Sequence, residues 1–419
     1  MNAASASRRA TALRARAWLL LAAGLLGGCG GVAAPTPGDA ARPALSGTPA
    51  QQAQMQQLHA RALRAGEREV VVYQAAMDVE WQPLWAEFAA TFPGLQVVYM
   101  HLSPAAVTER LDIEAATGAR YADVVSQPVN VAFSIAERGY LQPWLPATAQ
   151  ALPARYRGAG DRVLFGFSKV YGLGYNTRRI VPADLPGDVS ELLQARWQDR
   201  FEYGPPGGGA GTTDVALVNL IARGRLRWAD LPRLRDRGRV GGVQEGSVIS
   251  LAQGRAALSP WVYLPPFRRQ QQAGARIGMT FPADFSLLVP FGQGLVREPA
   301  HPNAARLLLA WLLSPRGQAA LAEKSSTLGN MPGAPTPAGF PDDPQLRAAI
   351  EPLTPEQTAR YLARLVPVAR AVWQGGDTVP PPGTAPEAPS PLPTLPDGLP
   401  SQETATAAAL PSPVATIAP

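Results

Sequence analysis

A single cysteine stands in 419 residues. One thiol excludes a disulfide framework and any cluster of thiolate metal ligands. Three histidines, His59, His101 and His301, leave little for a histidine-based metal centre. Lysine is as scarce: Lys169 and Lys324 are the only two among 38 basic residues, so arginine carries the net charge of +6. The apolar run Trp18–Leu26 falls short of the roughly 20 residues that a membrane-spanning helix needs. Catalytic signatures are missing too. There is no Gly-x-Ser-x-Gly elbow, no His-Glu-x-x-His and no cysteine nucleophile beyond residue 29, which weighs against an exported hydrolase. What the chain has in excess is proline, 44 residues or about twice the usual ~5%. A hydrophobic content of 46% is nevertheless that of a globular protein with a sizeable core.

The ends of the chain absorb much of that excess. Arg8, Arg9, Arg14 and Arg16 precede the apolar run with no acidic residue among them, which is the pattern of an export signal. The run ends in Leu26-Gly27-Gly28-Cys29, which resembles the lipobox of bacterial lipoproteins. That resemblance implies cleavage of residues 1–28 and acylation of Cys29. Several acyl chains would anchor the protein, each buried CH2 contributing about 0.8 kcal/mol. Residues 29–56 lack apolar periodicity and read as a disordered tether. Residues 375–419 hold the Pro380-Pro381-Pro382 run and no aromatic, lysine or arginine, and read as a proline-rich disordered tail. The four signal arginines are offset by Asp377, Glu387, Asp397 and Glu403 of the tail, and Asp39 cancels Arg42. The body between therefore carries the whole +6 itself. An exported chain does not meet nucleic acid in the cytoplasm, so this mild positive bias is compatible with an anionic solute, and arginine spread over the surface gives the same total.

The body alternates strands and helices. Glu69–Tyr73 is a continuous apolar strand, as in a sheet covered on both faces. Asp78 opens a helix to Phe92, with Trp81, Leu84, Trp85 and Phe88 at helical spacing. Leu95–Met100 is a second strand, Ser103-Pro104 opens a second helix that Gly118 ends, and Tyr121–Val125 is a third strand. This β-α-β-α-β order predicts a parallel sheet. Further strands are expected over 170–177, 201–203, 239–240, 256–258 and 285–296. Further helices are expected over 185–197, 215–222, 303–313 and 354–373.

These segments resemble the solute-binding proteins of bacterial ABC importers, in the subgroup associated with ferric iron, phosphonates, sugar phosphates or thiamine. The resemblance rests on Phe92-Pro93-Gly94, on Glu114-Ala115-Ala116-Thr117-Gly118 with Ala122-Asp123-Val124-Val125, and on Gly139-Tyr140-Leu141 with Tyr175-Asn176-Thr177. It extends through Glu245-Gly246-Ser247 with Gln253-Gly254-Arg255-Ala256-Ala257. Its strongest run is Ala300-His301-Pro302-Asn303-Ala304-Ala305, continuing to Ser314-Pro315-Arg316-Gly317-Gln318. It covers roughly residues 69–330. It implies an α/β fold, a two-lobed type II periplasmic-binding-protein clamp with the ligand in a cleft between the lobes. Lobe 1 would span 57–170 with about 285–325 returning to it. Lobe 2 would span 171–284 with about 340–374 packing on it. It further implies a membrane permease with a cytoplasmic ATPase as partner, and no catalysis.

Ligands of open parallel sheets sit beyond the carboxyl ends of strands, beside helix N-termini. Here those ends are Gln74 and Ala75, Ser126 and Gln127, and the glycine-rich loop ending in Gly211-Thr212-Thr213, whose backbone N–H groups could cradle an anion. The Lys of a GK[ST] phosphate loop is absent. Ferric-binding members use adjacent tyrosines. The matching stretch, Pro260-Trp261-Val262-Tyr263-Leu264, offers only Tyr263, and Gln74-Ala75-Ala76-Met77 supplies neither histidine nor carboxylate. No resident cofactor is expected, and direct ferric coordination is disfavoured. Trp261 and Tyr263 are instead expected to stack on, or hydrogen-bond to, an organic ligand. His101, His301 and the Arg268-Arg269 pair read as structural or surface residues. A structural or adhesion lipoprotein that has lost its ligand is the rival reading, encouraged by the proline-rich tail.

Overall fold

The structure, a computed structural model, describes residues 44–75, 78–207 and 211–375, with 78 and 79 described by backbone alone. The signal segment, Cys29, most of the tether and the tail from 376 lie outside the described residues.

The chain becomes regular earlier than its composition suggests. Thr48 caps α1 (Pro49–Arg64): its hydroxyl accepts from the Gln51 N–H, the Gln51 side chain accepts from the Thr48 N–H, and proline occupies the first helical position. The expected tether is thus helical from residue 49. Only Met55, Leu58 and Ala62 are buried along sixteen residues, and that sparse stripe hides the helix among Gln and Ala.

Next come β1 (Glu69–Gln74), α2 (Asp78–Thr91), β2 (Gln96–His101), α3 (Pro104–Thr117) and β3 (Val124–Pro128). β1 lies between β2 and β3 and runs parallel to both, as the alternation predicts. α4 (Val129–Glu137), β4 (Leu141–Gln142) and β5 (Arg157–Gly158) lead into β6 (Val163–Asn176). All 14 residues of β6 are buried. The strand starts well before residue 170, because covered faces let Phe165 and Phe167 alternate with small and polar neighbours. The helix expected over 185–197 is instead a series of short 3-10 turns. Pro186-Gly187 breaks the run, and the Asp188 carboxylate accepts from the Ser190 and Glu191 N–H groups to start a new turn.

β7 (Glu202–Tyr203), α5 (Thr212–Ala222), α6 (Leu231–Arg237), β8 (Arg239–Val240), α7 (Glu245–Ala252), β9 (Leu258–Tyr263), α8 (Leu264–Gln272) and β10 (Ile277–Thr280) follow. The chain ends in β11 (Leu287–Val296), α9 (Pro302–Leu312), α10 (Pro315–Ser325), β12 (Leu328–Gly329), α11 (Pro344–Ile350) and α12 (Pro355–Trp373). A Thr354/Gln357 capping box starts α12.

Among the described residues, ten strands join in one mixed sheet whose main path is β10-β6-β11-β3-β1-β2. β7 and β8 form a separate parallel pair. β6 and β11 tie the sheet together. The first part of β6 pairs with β5 and β12, its last part with β9 and β10, and β11 runs antiparallel along it from Leu164 to Tyr171. α12 was expected to pack on the second lobe. It lies against α5 and α6 and equally against α4.

Candidate functional site

Side chains two apart on a strand share a face. On β6 this sets Phe167, Lys169 and Tyr171 in a row. The β6–β11 register brings Phe291 opposite Phe167, and the β6–β9 register brings Tyr263 opposite Tyr171. The Lys169 Nζ consequently sits 4.5 Å from the Phe291 ring centroid and 4.8 Å from that of Tyr263. The Tyr171 and Tyr263 rings are 5.1 Å apart. Trp81 of α2 closes the other end, 5.0 Å from Phe167. Glu80, in the first turn of α2, brings a carboxylate to the same place.

This centre is buried and charged. Lys169 is 1% exposed and Glu80 6%. Among the described residues, the Lys169 Nζ, one Glu80 oxygen and the Tyr263 hydroxyl have no well-formed hydrogen bond. Cation–π contact with the two rings stabilises the ammonium without satisfying its three donors. Burial pulls the Lys169 pKa down to about 8, opposed by the negative charge of Glu80. Burial pushes Glu80 up, opposed first by the Lys169 charge and then by the Tyr263 hydroxyl. Burial, reinforced by Glu80, holds the Tyr263 phenol well above its usual range. Burial also raises Tyr171, against a hydrogen bond with Thr212. At neutral pH both phenols are therefore neutral donors and Lys169 is a cation. Orphaned buried polar atoms of this kind are costly, and a polar ligand would satisfy them.

The strand ends named from sequence behave differently. Gln74 ends β1 with both amide atoms buried and unpartnered. The neighbouring Ala75 N–H donates to the Ser126 carbonyl. The Ser126 hydroxyl meets the Gln293 side chain at 3.4 Å, and Gln293 in turn accepts from the Gly166 N–H. The Gln127 side chain donates to the Tyr73 carbonyl, leaving its own oxygen unpaired. The described ends of the glycine-rich loop bond to the first turn of the helix that follows. Gly211 is the N-cap of α5, the Thr213 hydroxyl donates to the Gly204 carbonyl, and Asp214 accepts from the Gly207 N–H. Thr212, on the first turn, reaches Tyr171 and so joins the centre. Trp261 is buried at φ 57, where the β6–β9 register slips between Gly172 and Gly174. Such a conformation costs an aromatic residue about 1–3 kcal/mol. Its indole N–H donates to the Asp284 carbonyl at 3.2 Å, so it anchors the strand carrying Tyr263.

Lys169, Glu80 and Tyr171 were not singled out from sequence. Lys169 had one usable signal: it is one of two lysines in an arginine-rich chain, and it sits within an apolar strand. Although no two tyrosines are adjacent at 261–263, strand pairing supplies Tyr171 beside Tyr263. Among the described residues, no group of three His, Cys, Asp or Glu side chains is placed to hold a metal ion. His101 is exposed. His301 binds the buried Asp123 through Nδ1 at 2.8 Å. Arg268 and Arg269, read as surface charge, line a cavity of about 590 Å³ together with Glu80.

The mixed sheet with its two long central strands matches the fold of the type II periplasmic binding proteins. The chain belongs to the bacterial extracellular solute-binding protein family, whose sequence model matches residues 120–347. Among solved structures, iron-bound HitA from Pseudomonas aeruginosa is 18% identical with a TM-score of 0.62, covering 73% of this chain and 99% of that one. The substrate binding protein of the ABC transporter from Agrobacterium tumefaciens is 14% identical with a TM-score of 0.62, covering 73% and 94%. The periplasmic binding protein AfuA from Actinobacillus pleuropneumoniae, with exogenous fructose-6-phosphate bound, is 15% identical with a TM-score of 0.56, covering 71% and 96%. At these identities the likeness is one of fold. No curated protein sequence matches the chain. Among the described residues, no helix is long and apolar enough to cross a membrane.

Proposed function

We propose that this protein is the lipid-anchored receptor of an ABC importer, exported to the cell envelope, which captures a small anionic organic solute and passes it to a membrane permease driven by a cytoplasmic ATPase. It catalyses no reaction. The observation that carries the reading is Lys169: a buried ammonium without a hydrogen-bond partner, held between two rings on a strand shared by both parts of the sheet. A fixed cation there repels a bare ferric ion and attracts a phosphate, phosphonate or carboxylate. Iron would enter only as an anionic chelate. Tyr171, Tyr263 and Thr212 donate hydrogen bonds to the solute, and Glu80 selects for a hydroxyl or amine.

A solute reaches so buried a centre only if the clamp opens. In this reading β6 and β11 are the hinge between residues 57–170 with 285–325 and residues 171–284, and α12 lies over the side that bends. Closure then signals occupancy to the permease. The Leu26-Gly27-Gly28-Cys29 pattern supports an anchor at Cys29. The test is native mass spectrometry of the purified protein followed by a thermal-shift screen of phosphonates, sugar phosphates, thiamine and its phosphates, ferric chelates and polyamines. Stabilisation by one or more anionic solutes is expected. A protein that neither carries nor responds to any solute would favour the structural-lipoprotein reading, and a response to polyamines alone would refute the anion.

A further inference from the structure

The cavity of about 590 Å³ adjoins the buried centre and shares Glu80 with it. α2 supplies Glu80 and Pro83, α8 supplies Arg268 and Arg269, and the end of α10 supplies Lys324. Most charges around it are already matched. Arg269 pairs with Glu245 at 2.9 Å, Glu323 meets Arg316 at 3.5 Å, and Glu80 faces Lys169. Among the described residues, two cations are left over. The Arg268 guanidinium donates to the Ala338 carbonyl and meets no described carboxylate, which leaves most of its five donors free for an oxyanion. Lys324 is exposed in the last turn of α10. Glu80 is thus common to the buried centre that holds Lys169 and to the cavity that Lys324 lines.

A cavity of this volume has room for a small sugar or a short carbon chain. We propose that the solute is a two-headed anion, with one anionic group on Lys169 and a second, across the cavity, on Arg268 and Lys324. The assignment rests on the reading that the Lys169 centre holds an anion.

Calorimetric titration of the full chain with a hexose monophosphate and the bisphosphate of the same sugar tests it. The bisphosphate is expected to bind at least about tenfold more tightly, the scale of one charge-assisted contact. The Arg268→Ala/Lys324→Ala double variant is expected to bring that ratio towards one. Lys324→Glu, at an exposed position where folding is not at stake, is expected to lower the ratio by itself. Equal affinity of the wild type for the two sugars, or a preference that survives in both variants, would overturn the two-headed assignment and leave the Lys169 reading standing. If neither sugar phosphate nor any other anion binds the wild type, the Lys169 reading fails and this assignment fails with it.

Discussion

The end of β3 and the middle of β6 both carry buried polar side chains, but those side chains do different work. At the end of β3, Ser126 is drawn into contact with Gln293, which also accepts from Gly166. On β6, Lys169 points at two aromatic rings and at Glu80, and its donors are unspent. The Ser126 hydroxyl finds a partner within the fold, whereas the Lys169 ammonium does not. Hydrogen-bond accounting is what tells the two groups apart.

That contrast breaks down if Lys169 and Glu80 are merely a structural pair. Replacing both, as Lys169→Met with Glu80→Leu, is expected to abolish solute-dependent thermal shifts while leaving the empty protein as stable or about 1–4 kcal/mol more stable, because an apolar pair of similar volume avoids the desolvation cost. A large loss of stability by chemical denaturation would mean the pair serves the fold. Tyr263→Phe is the next test. Removing a hydroxyl whose hydrogen bonding the fold leaves incomplete is expected to weaken solute binding by about 1.5–3 kcal/mol, measured by titration, with little change in the unfolding midpoint.

Proton linkage sharpens the comparison further. Lys169 in the folded protein has its pKa lowered to about 8 from 10.5. Between those values the unfolded chain binds more protons than the folded one, so stability is expected to rise with pH from about 8, by at most about 1.4 kcal/mol per unit. Above about 10 the sign reverses. There the raised phenols, Tyr73 among them at about 12, keep protons that the unfolded chain releases. Denaturation midpoints across this range in wild type and Lys169→Met check it, and the rise should be missing from the variant. The smallest expected effect belongs to the scaffold: Ser126→Ala should cost under about 1 kcal/mol of stability and leave solute affinity unchanged, read from paired melts and titrations.

The parallel core was legible because Val70–Val72 and Val97-Val98 announce strands by composition, and because Ser103-Pro104 and Gly118 punctuate a helix. The family motifs were legible too, and the structure shows why their residues stand where they do. Asp123 accepts from the N–H groups of Val71 and His301. Ser314 caps α10, and a Cβ on Gly317 would strike the Trp311 carbonyl. These are nodes of the scaffold, and none of them touches the candidate site. The site itself depends on registers that no local pattern encodes. Tyr171 meets Tyr263 only because β6 pairs with β9 across some ninety residues of chain, and Glu80 reaches Lys169 only through the packing of α2 on the sheet. The first helix escaped notice because its buried stripe is short, and the false helix over 185–197 arose because Val189, Leu192 and Leu193, just after the Pro186-Gly187 break, mimic helical spacing in what are short 3-10 turns.

The most direct measurement is calorimetric titration of a stabilising anionic solute at pH 9, repeated in buffers of different ionisation enthalpy. Lys169 in the empty protein is largely neutral at that pH, and a bound anion would draw the proton back onto it. The account predicts uptake approaching one proton per solute in the wild type, with affinity falling by about 2–5 kcal/mol in Lys169→Met. Binding without proton uptake, or with undiminished affinity in the variant, would contradict it.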